Sequence, residues 1–187
     1  GGEPLMDKNT YRVFDYVLEN PSPKLHLNVT SNFSVEPALF EKYLDYVKRL
    51  CMSEDKKIEH FMQYVSLDSM FEQAEYIRDG LDFQRMWNNV NRFLAEVPNR
   101  SSLTFIGTMN NLNVTGFQSL INSIHGLRQV YSKTYQRVWF DTPILRKPEW
   151  QSIQLLPESY VDMLETAWAF MVTKMEQPER PYKGFKD

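Results

Sequence analysis

The regular alternation of short apolar segments with longer amphipathic ones is the feature that most constrains the fold of this chain. Each gap between the short segments has helical periodicity; Leu39, Tyr43 and Val47, for example, fall on one helix face. The short segments begin roughly 35 to 40 residues apart, which leaves room for the crossover of a dozen or more residues that joins parallel strands. These short segments are rich in apolar and β-branched residues, which predicts strands over 25–30, 61–67, 103–108 and 137–140.

Two further helices are predicted at the ends of this pattern, over 11–18 and 161–171. The order is therefore one helix followed by repeated strand–helix units, which predicts an α/β fold with a parallel sheet of about four strands covered by helices. The tail "EQPERPYKGFKD" has two prolines, a glycine and several charges, so we expect an extended segment there.

Composition and charge exclude several classes of function. The 187 residues are 42% hydrophobic and carry a formal charge of −3, with Lys and Arg interspersed among Asp and Glu, so a nucleic-acid-binding surface is not expected. No stretch approaches the roughly 20 apolar residues that cross a bilayer, and no signal-peptide pattern is present. The single Cys51 cannot form an internal disulfide. We therefore expect a cytoplasmic protein without a membrane partner.

Polar side chains collect where each predicted strand ends. In parallel α/β sheets ligands bind at the carboxyl ends of strands, and none of these four ends carries Lys or Arg. This composition suits a ligand with many neutral hydrogen bonds better than a free phosphate. The same residue types also favour strand ends and helix caps for local reasons, so a structural role remains an alternative. The polar residues are Thr30, Ser31, Asn32, Ser66, Asp68, Ser69, Thr108, Asn110, Asn111, Asn113, Asp141 and Thr142.

Local patterns refine two of these strand ends. Alternation along a strand places Ser66 and Asp68 on one side and apolar residues on the other, and an inward carboxylate is costly unless it is paired or faces a ligand. After the third strand, Thr115 and Gln118 have the spacing of a capping box, which predicts the start of the next helix.

The N-terminal stretch "GGEPLM" places two glycines, a carboxylate and a proline directly before the first predicted helix. Glycine permits backbone conformations that let carbonyl groups approach a ligand closely. Glu3 supplies a negative charge suited to an ammonium group.

Five stretches occur together in the order and spacing found in radical S-adenosylmethionine enzymes: "GGEP", "LHLNVTSN", "VSLDSMFEQAEYIRDG", "TFIGTMNNLN" and "VWFDTP". Over residues 1 to about 145 the chain resembles the subgroup of that family with a short twitch-type C-terminal extension. The resemblance implies a partial (β/α) barrel over residues 1–145, followed by a C-terminal helix and tail over 146–187. It also implies a core that binds S-adenosylmethionine beside a [4Fe–4S] cluster and cleaves it reductively to a 5′-deoxyadenosyl radical.

The resemblance also implies roles for particular residues. The backbone of Gly1 and Gly2, with Glu3, would receive the methionyl ammonium group. Ser66 and Asp68 would approach the ribose or the carboxylate. The remaining implied contacts are Arg78 in "EYIR" with the methionyl carboxylate, and Asn110 or Asn111 with the ribose or adenine.

The chain departs from this family in its cysteines. The Cys-x3-Cys-x2-Cys loop that binds the cluster lies upstream of "GGEP" in the family, and Cys51 alone cannot replace its three thiolates. Cys51 is interpreted as a small hydrophobic residue, and the scattered His26, His60 and His125 give no metal-binding spacing. We therefore expect a fragment of a radical enzyme core, inactive alone, with the cluster present only in a full-length parent.

Two other functions remain open from the sequence. The chain can instead be a non-catalytic α/β interaction module, with Trp139, Trp150 and Tyr182 as anchors. A different barrel enzyme would use Asp68 and Asp141 as an acid–base pair, although no His or Lys accompanies them at a strand end. If two strands precede the first one in a parent barrel, that strand is an exposed edge here, and we expect self-association through it.

Overall fold

The structure is a computed structural model, and it describes residues 2–175. Gly1 and the tail 176–187, including Tyr182, lie outside the described residues. Short 3₁₀ helices occupy Pro4–Met6, Glu149–Gln151, Ile153–Leu155 and Glu158–Tyr160. The longer elements are α1 (Lys8–Glu19), β1 (His26–Ser31), α2 (Pro37–Met52), β2 (His60–Ser66), α3 (Phe71–Ile77), α4 (Phe83–Glu96), β3 (Ser101–Ile106), α5 (Val114–Tyr131), β4 (Val138–Asp141) and α6 (Val161–Lys174).

The four strands form one sheet in the order β1-β2-β3-β4, and every neighbouring pair is parallel. His26 lies opposite His60 in the first pair, and Leu103 lies opposite Val138 in the last. The α/β class and the parallel sheet of four strands are therefore confirmed. Helix α3 was not predicted, because its single stretch of seven residues is too short to show a helical period.

The sequential strand order explains why one face of the sheet is covered. Right-handed crossovers between successive neighbours place every connecting helix on the same face, whereas a doubly wound sheet reverses its order and covers both faces. Phe61, Val65, Leu103 and Phe105 lie on the covered face and are 0–1% exposed. The same order and one-sided layer occur in the wall of a (β/α) barrel.

Aromatic side chains dominate the layer between the sheet and its helices. Phe33 packs edge-to-face on Phe40 and Tyr43, with ring centroids 5.3 and 5.7 Å apart, and Phe61 continues the cluster from the sheet. The Tyr43 hydroxyl donates to the Gln63 side chain, so both buried polar groups are satisfied. Burial of each such ring contributes about 1.5–3 kcal/mol, which makes this layer the main stabilising element.

Cys51 lies in this core at the end of α2. The side chain is fully buried, and the thiol points at the carbonyl of Arg100 at 3.8 Å. Burial raises the pKa of the Cys51 thiol to about 12, so the group stays protonated at neutral pH. The structure therefore places Cys51 as a small core residue.

The predicted capping box at Thr115 and Gln118 is wrong. Helix α5 begins at Val114 with Asn113 as its N-cap, two residues before the predicted N-cap, and the Thr115 hydroxyl accepts a hydrogen bond from Gln73 Nε2 of α3 at 2.9 Å. Gln118 reaches forward and donates to Asn122 instead of back to the helix start. The Thr115 hydroxyl, which a local helix cap would use, is instead bound by Gln73 from another helix.

The segment after β4 packs back onto the sheet layer through α6, which contacts α5. The His125 and Phe170 rings meet edge-to-face in this contact; Ala167 of α6 is buried, while Trp168 is 63% exposed. Across residues 2–175, the helices include none with the length and apolar character needed to cross a membrane.

The His60 side chain gives the sheet a pH-dependent stability. Burial, and then the charge of neighbouring His26, lower the pKa of His60 below its ordinary value near 6.5. The neutral ring, which shares a 2.5 Å hydrogen bond with Ser102 Oγ, is therefore favoured in the folded state. The corresponding stability is complete above about pH 6.5 and is lost as the pH falls from there through the lower folded-state pKa.

We expect the free energy of unfolding to decrease from pH 7 to pH 5 and this decrease to become smaller in His60→Gln. Urea unfolding at several pH values measures it. Asn122→Gln, at an exposed and non-titrating position of α5 outside the sheet, serves as the control and should keep the slope of the unsubstituted protein. An unchanged slope in His60→Gln would contradict the assignment.

Candidate functional site at the carboxyl edge of the sheet

Because all four strands are parallel, their carboxyl ends lie along one edge of the sheet. This edge, called the carboxyl edge below, consists of residues 31–34, 66–69, 107–111 and 141–142. It brings together on one side the polar strand ends that the sequence indicated. The N-terminal "GEP" segment also lies there, against β1.

Glu3 fastens the N-terminal segment to the end of β1. One carboxylate oxygen accepts from the backbone N–H of Leu5 at 3.1 Å, and the other accepts from that of Asn32 at 3.2 Å. Leu5 is fully buried, and its carbonyl accepts from the Tyr11 hydroxyl at 2.7 Å. Gly2 is exposed, and a Cβ there would meet no heavy atom within 4 Å. These two backbone hydrogen bonds therefore hold the Glu3 carboxylate at the carboxyl edge.

The end of β1 is a tight turn. Ser31 is buried, and its hydroxyl accepts from Phe33 N at 2.8 Å; the Asn32 side chain accepts from Ser34 N at 3.0 Å. Phe33 is fully buried with a φ of 62°, a conformation that is rare for a bulky residue. Phe71 has a φ of 52° where α3 begins after β2. Backbone strain of this kind concentrates at functional sites.

Asp68 is the best-connected carboxylate of the carboxyl edge. It is 5% exposed; Oδ1 accepts from Thr108 N at 2.7 Å, and Oδ2 lies 2.7 Å from Arg78 Nε in an ion pair. Val65 and Leu67 are fully buried on the other side of the chain. The inward carboxylate is thus compensated by an arginine and a backbone N–H.

This pairing bears on two of the roles considered from the sequence. Arg78, which the resemblance assigns to a ligand carboxylate, forms its ion pair with Asp68. Both oxygens of Asp68 are occupied by Arg78 and Thr108, and Asp141 lies two strands and two positions away across β3, about 12 Å from it between Cα atoms. An acid–base pair made of these two aspartates has no support in this geometry.

Asn110 and Asn113 form hydrogen bonds within the loop that follows β3. The Thr108 carbonyl accepts from the side-chain amides of Asn110 at 2.9 Å and Asn113 at 2.8 Å. Asn113 Oδ1 accepts from Asn110 N, and Asn110 Oδ1 accepts from Leu112 N. These bonds satisfy backbone groups where a strand turns into a helix, which is the local role that polar residues often have at strand ends.

Asn111 connects the carboxyl edge to the segment after β4. Its side-chain amide donates to the Trp150 carbonyl at 2.9 Å, and its backbone N–H donates to the Gln151 carbonyl at 3.0 Å. Asn111 Oδ1 is buried and has no hydrogen-bond partner among residues 2–175. Because this atom is buried, a donor from outside the chain reaches it only if the loop around it opens.

Three hydroxyl groups of the carboxyl edge also remain available. The side chains of Ser66, Thr108 and Thr142 are half-buried, and within the described part of the chain none of these hydroxyls has a hydrogen-bond partner. All three belong to the residues predicted from the sequence.

Gln73 is a site residue that the sequence did not reveal. Its side chain accepts from Ser69 Oγ at 2.6 Å and donates to the Leu112 carbonyl at 2.6 Å, and so joins the end of β2 to the start of α5. Gly116 makes this possible, since a Cβ there would lie 2.0 Å from both Gln73 Oε1 and Ser69 Oγ. No local pattern marks a glutamine that bridges two distant loops.

Two cavities lie at the other end of the sheet. One, of about 510 Å³, opens between the ends of α1 and α2 beside Leu18 and Met52. The second, of about 160 Å³, lies between the turns before β3 and β4 beside Asn99 and Lys133. Neither includes a residue of the carboxyl edge.

The donor groups of the chain do not fit an iron–sulfur cluster. Such a cluster needs three thiolates in this family type, and the sequence has one cysteine, whose burial raises its pKa to about 12. Within residues 2–175, no three His, Cys, Asp or Glu side chains come together as a metal site.

Comparisons with known proteins give no assignment. No protein-family model matches the chain, and a search of curated proteins finds no match either.

Proposed function

We propose that the carboxyl edge binds S-adenosylmethionine and that the chain is part of the core of a radical S-adenosylmethionine enzyme. The observation that carries the proposal is the meeting of Glu3 with the end of β1, at the edge to which the other strand ends also lead. A carboxylate beside unused hydroxyl and amide groups suits a ligand that combines an ammonium group with a nucleoside.

The unused groups support particular contacts in this proposal. Glu3 would receive the methionyl ammonium, and the hydroxyls of Ser66 and Thr108 are free for the ribose. Asn111 Oδ1, a buried acceptor that lacks a donor among the described residues, would accept from an exocyclic amine such as that of adenine once the loop around it opens. Arg78 would contact the methionyl carboxylate while it remains paired with Asp68.

The same proposal limits what this chain does alone. Reductive cleavage of S-adenosylmethionine needs an electron, which the cluster supplies in this family, and the donor set here does not fit a cluster. The residues of this chain therefore bind and orient the cofactor, and we expect no radical chemistry from the isolated chain.

Calorimetric titration with S-adenosylmethionine tests the proposal. We expect saturable binding at millimolar or lower ligand, weakened at least fivefold by Ser66→Ala and by Thr108→Val, because each removes a hydroxyl that the fold does not need. Ser119→Ala, at an exposed position of α5, is the matched control and should bind like the unsubstituted protein. An absence of heat at several millimolar ligand, with the protein folded, would overturn the proposal.

Exposed tryptophan favours one alternative, a non-catalytic interaction module. Trp150 is 66% exposed beside the carboxyl edge, where Asn111 holds its backbone, while Trp139 is half-buried. Exposed aromatic residues of this kind anchor protein partners. The alternative predicts that Trp150→Ala abolishes capture of a partner, whereas the cofactor proposal predicts no such dependence.

We also propose self-association through β1. Within residues 2–175, β1 pairs with β2 alone, so its outer edge presents unpaired backbone groups. A sedimentation mass above that of one chain is expected at tens of micromolar. Asn28→Lys, which adds a charge to the exposed edge strand, should return the mass to one chain, and Asn122→Lys on α5 should not. A single-chain mass for the unsubstituted protein would contradict this prediction.

A further inference from the structure

The smaller cavity, of about 160 Å³, lies at the amino ends of β3 and β4 and is called the amino-end cavity below. The turn before β3 contributes Asn99 to its lining, and the turn before β4 contributes Lys133, Thr134 and Arg137. The lining therefore includes two cations, and it includes no carboxylate from residues 2–175.

Hydrogen bonds between the two turns fix the walls of the amino-end cavity. Arg137 is 4% exposed, and its guanidinium donates to the carbonyls of Leu94 at 3.0 Å and Ser101 at 3.1 Å. The Tyr135 hydroxyl donates to the Pro98 carbonyl at 3.1 Å. The cavity is therefore formed before a ligand enters it, and binding needs little rearrangement of the turns.

Arg137 brings to this cavity a buried positive charge that no carboxylate balances. The hydrogen-bond acceptors of its guanidinium are backbone carbonyls and the Ser101 hydroxyl, all of which are neutral. Across residues 2–175 it forms no ion pair. Burial lowers the pKa of Arg137 below its ordinary value, because the charge has lost water. An anion in the cavity would offset part of that loss.

Three other side chains of the lining have bonding capacity that the fold does not use. Within the described part of the chain, the Lys133 ammonium, the Asn99 amide and the Thr134 hydroxyl have neither a hydrogen-bond partner nor an ion pair. All three side chains are exposed. Each can donate to a ligand without giving up a contact that stabilises the protein.

The larger cavity beside Leu18 and Met52 lacks this combination. Its three cations each pair with a carboxylate of the chain, so an anion there has to displace a partner that is already present. They are Lys48, Arg49 and Lys57. Of the two cavities, the amino-end cavity is thus the one whose positive charge is unbalanced.

We propose that the amino-end cavity binds a phosphate group, with Lys133, Asn99 and Thr134 donating to its oxygens and Arg137 supplying the second positive charge. A doubly charged oxyanion with several acceptor oxygens matches a lining of donors and cations. At about 30 Å³ per water molecule, the cavity holds about five waters, which is room for a phosphate group but not for a whole nucleotide. The remainder of a phosphate monoester lies outside the cavity, along the exposed turns.

This inference is independent of the proposed function. The carboxyl edge lies at the opposite ends of the same strands, and β3, with six residues, spans about 20 Å between the two. Either site can fail to bind its ligand while the other still binds.

Titration of the ¹⁵N-labelled chain with inorganic phosphate at pH 7.5, followed by NMR, tests the inference. About 0.1 M sodium chloride screens non-specific attraction to exposed lysines. We expect saturable shifts of the amide signals of residues 99–101 and 131–137, with a dissociation constant of about 1 mM or below. Glycerol 3-phosphate, in a parallel titration, distinguishes the source of the group. Equal or tighter binding identifies a monoester, and binding of inorganic phosphate alone identifies the free ion.

Lys133→Gln should weaken phosphate binding at least fivefold and leave the melting temperature unchanged, since its side chain holds no other element in place. Asn99→Asp, which adds a carboxylate to the lining, should abolish binding. Lys24→Gln is the matched control, because Lys24 is exposed before β1, forms no ion pair within residues 2–175 and carries the same charge. It should bind phosphate like the unsubstituted protein.

An unchanged spectrum at about 20 mM phosphate, far above a 1 mM dissociation constant, would overturn the inference. Shifts confined to residues outside the two turns would also overturn it, as would equal weakening by Lys133→Gln and Lys24→Gln, which would show non-specific attraction to positive charge.

Discussion

Asp68→Ala is expected to lower the free energy of unfolding by about 2–3 kcal/mol. The substitution leaves the Thr108 N–H without its acceptor and Arg78 without its counter-ion. Loss of a partner to a fully buried ion costs 3–5 kcal/mol, and the smaller figure applies because the Arg78 side chain is 30% exposed and can be solvated. Urea unfolding monitored by circular dichroism measures the difference.

Asp79→Ala is the matched control for this prediction. Asp79 is exposed, follows Arg78 directly in sequence, and has no ion pair within residues 2–175, so its loss should cost less than about 0.5 kcal/mol. Asp68→Asn should fall between the two, since its amide oxygen can still accept from Thr108. A cost for Asp68→Ala as small as that of Asp79→Ala would show that the buried pair does not hold the ends of β2 and β3 together.

Gly116→Ala is expected to destabilise the protein by about 2 kcal/mol, against the usual trend for glycine in a helix. Alanine normally gains about 1 kcal/mol over glycine at a helical position. Here the added Cβ would lie 2.0 Å from Gln73 Oε1 and Ser69 Oγ, so both side chains must move. The hydrogen bonds from Gln73 to the Leu112 carbonyl and to Thr115 are then lost. Steric overlap and lost bonds outweigh the helical propensity.

Gly126→Ala in the same helix tests the opposite sign. A Cβ at Gly126 would meet no heavy atom within 4 Å, so only the propensity gain of up to about 1 kcal/mol remains. The melting temperature of the two variants should therefore move in opposite directions. Stabilisation by Gly116→Ala would contradict the close approach of α3 and α5.

The strands and the main helices could be predicted because their signals are local. The apolar residues of β2 and β3 alternate or run together as in buried strands, and gaps such as 37–52 carry a clear helical period. The short α3 gave no period, and the capping box at Thr115 failed because Gln73, far away in sequence, uses that hydroxyl. Local rules describe an element well until a tertiary contact competes for the same atoms.

The location of the candidate site could be predicted from the sequence, but its hydrogen bonds and ion pairs could not. Polar residues at the ends of parallel strands share one edge for geometric reasons, so Ser66 and Asp68 could be placed there from the sequence. The sequence could not show that Arg78 pairs with Asp68, since the two come together only through the fold of α3. It also could not separate Asn110, which closes a loop, from Asn111, whose Oδ1 stays without a partner in the described chain.

The location of S-adenosylmethionine on the protein tests the central claim most directly. NMR of the ¹⁵N-labelled chain during titration with S-adenosylmethionine should show shifts at residues 3–5, in the segment that Glu3 fastens to the carboxyl edge, and at residues 31–34, 66–69 and 107–111 of that edge. Shifts confined to the cavities at the other end of the sheet, beside Met52 or Lys133, would contradict the account, as would an unchanged spectrum at saturating ligand.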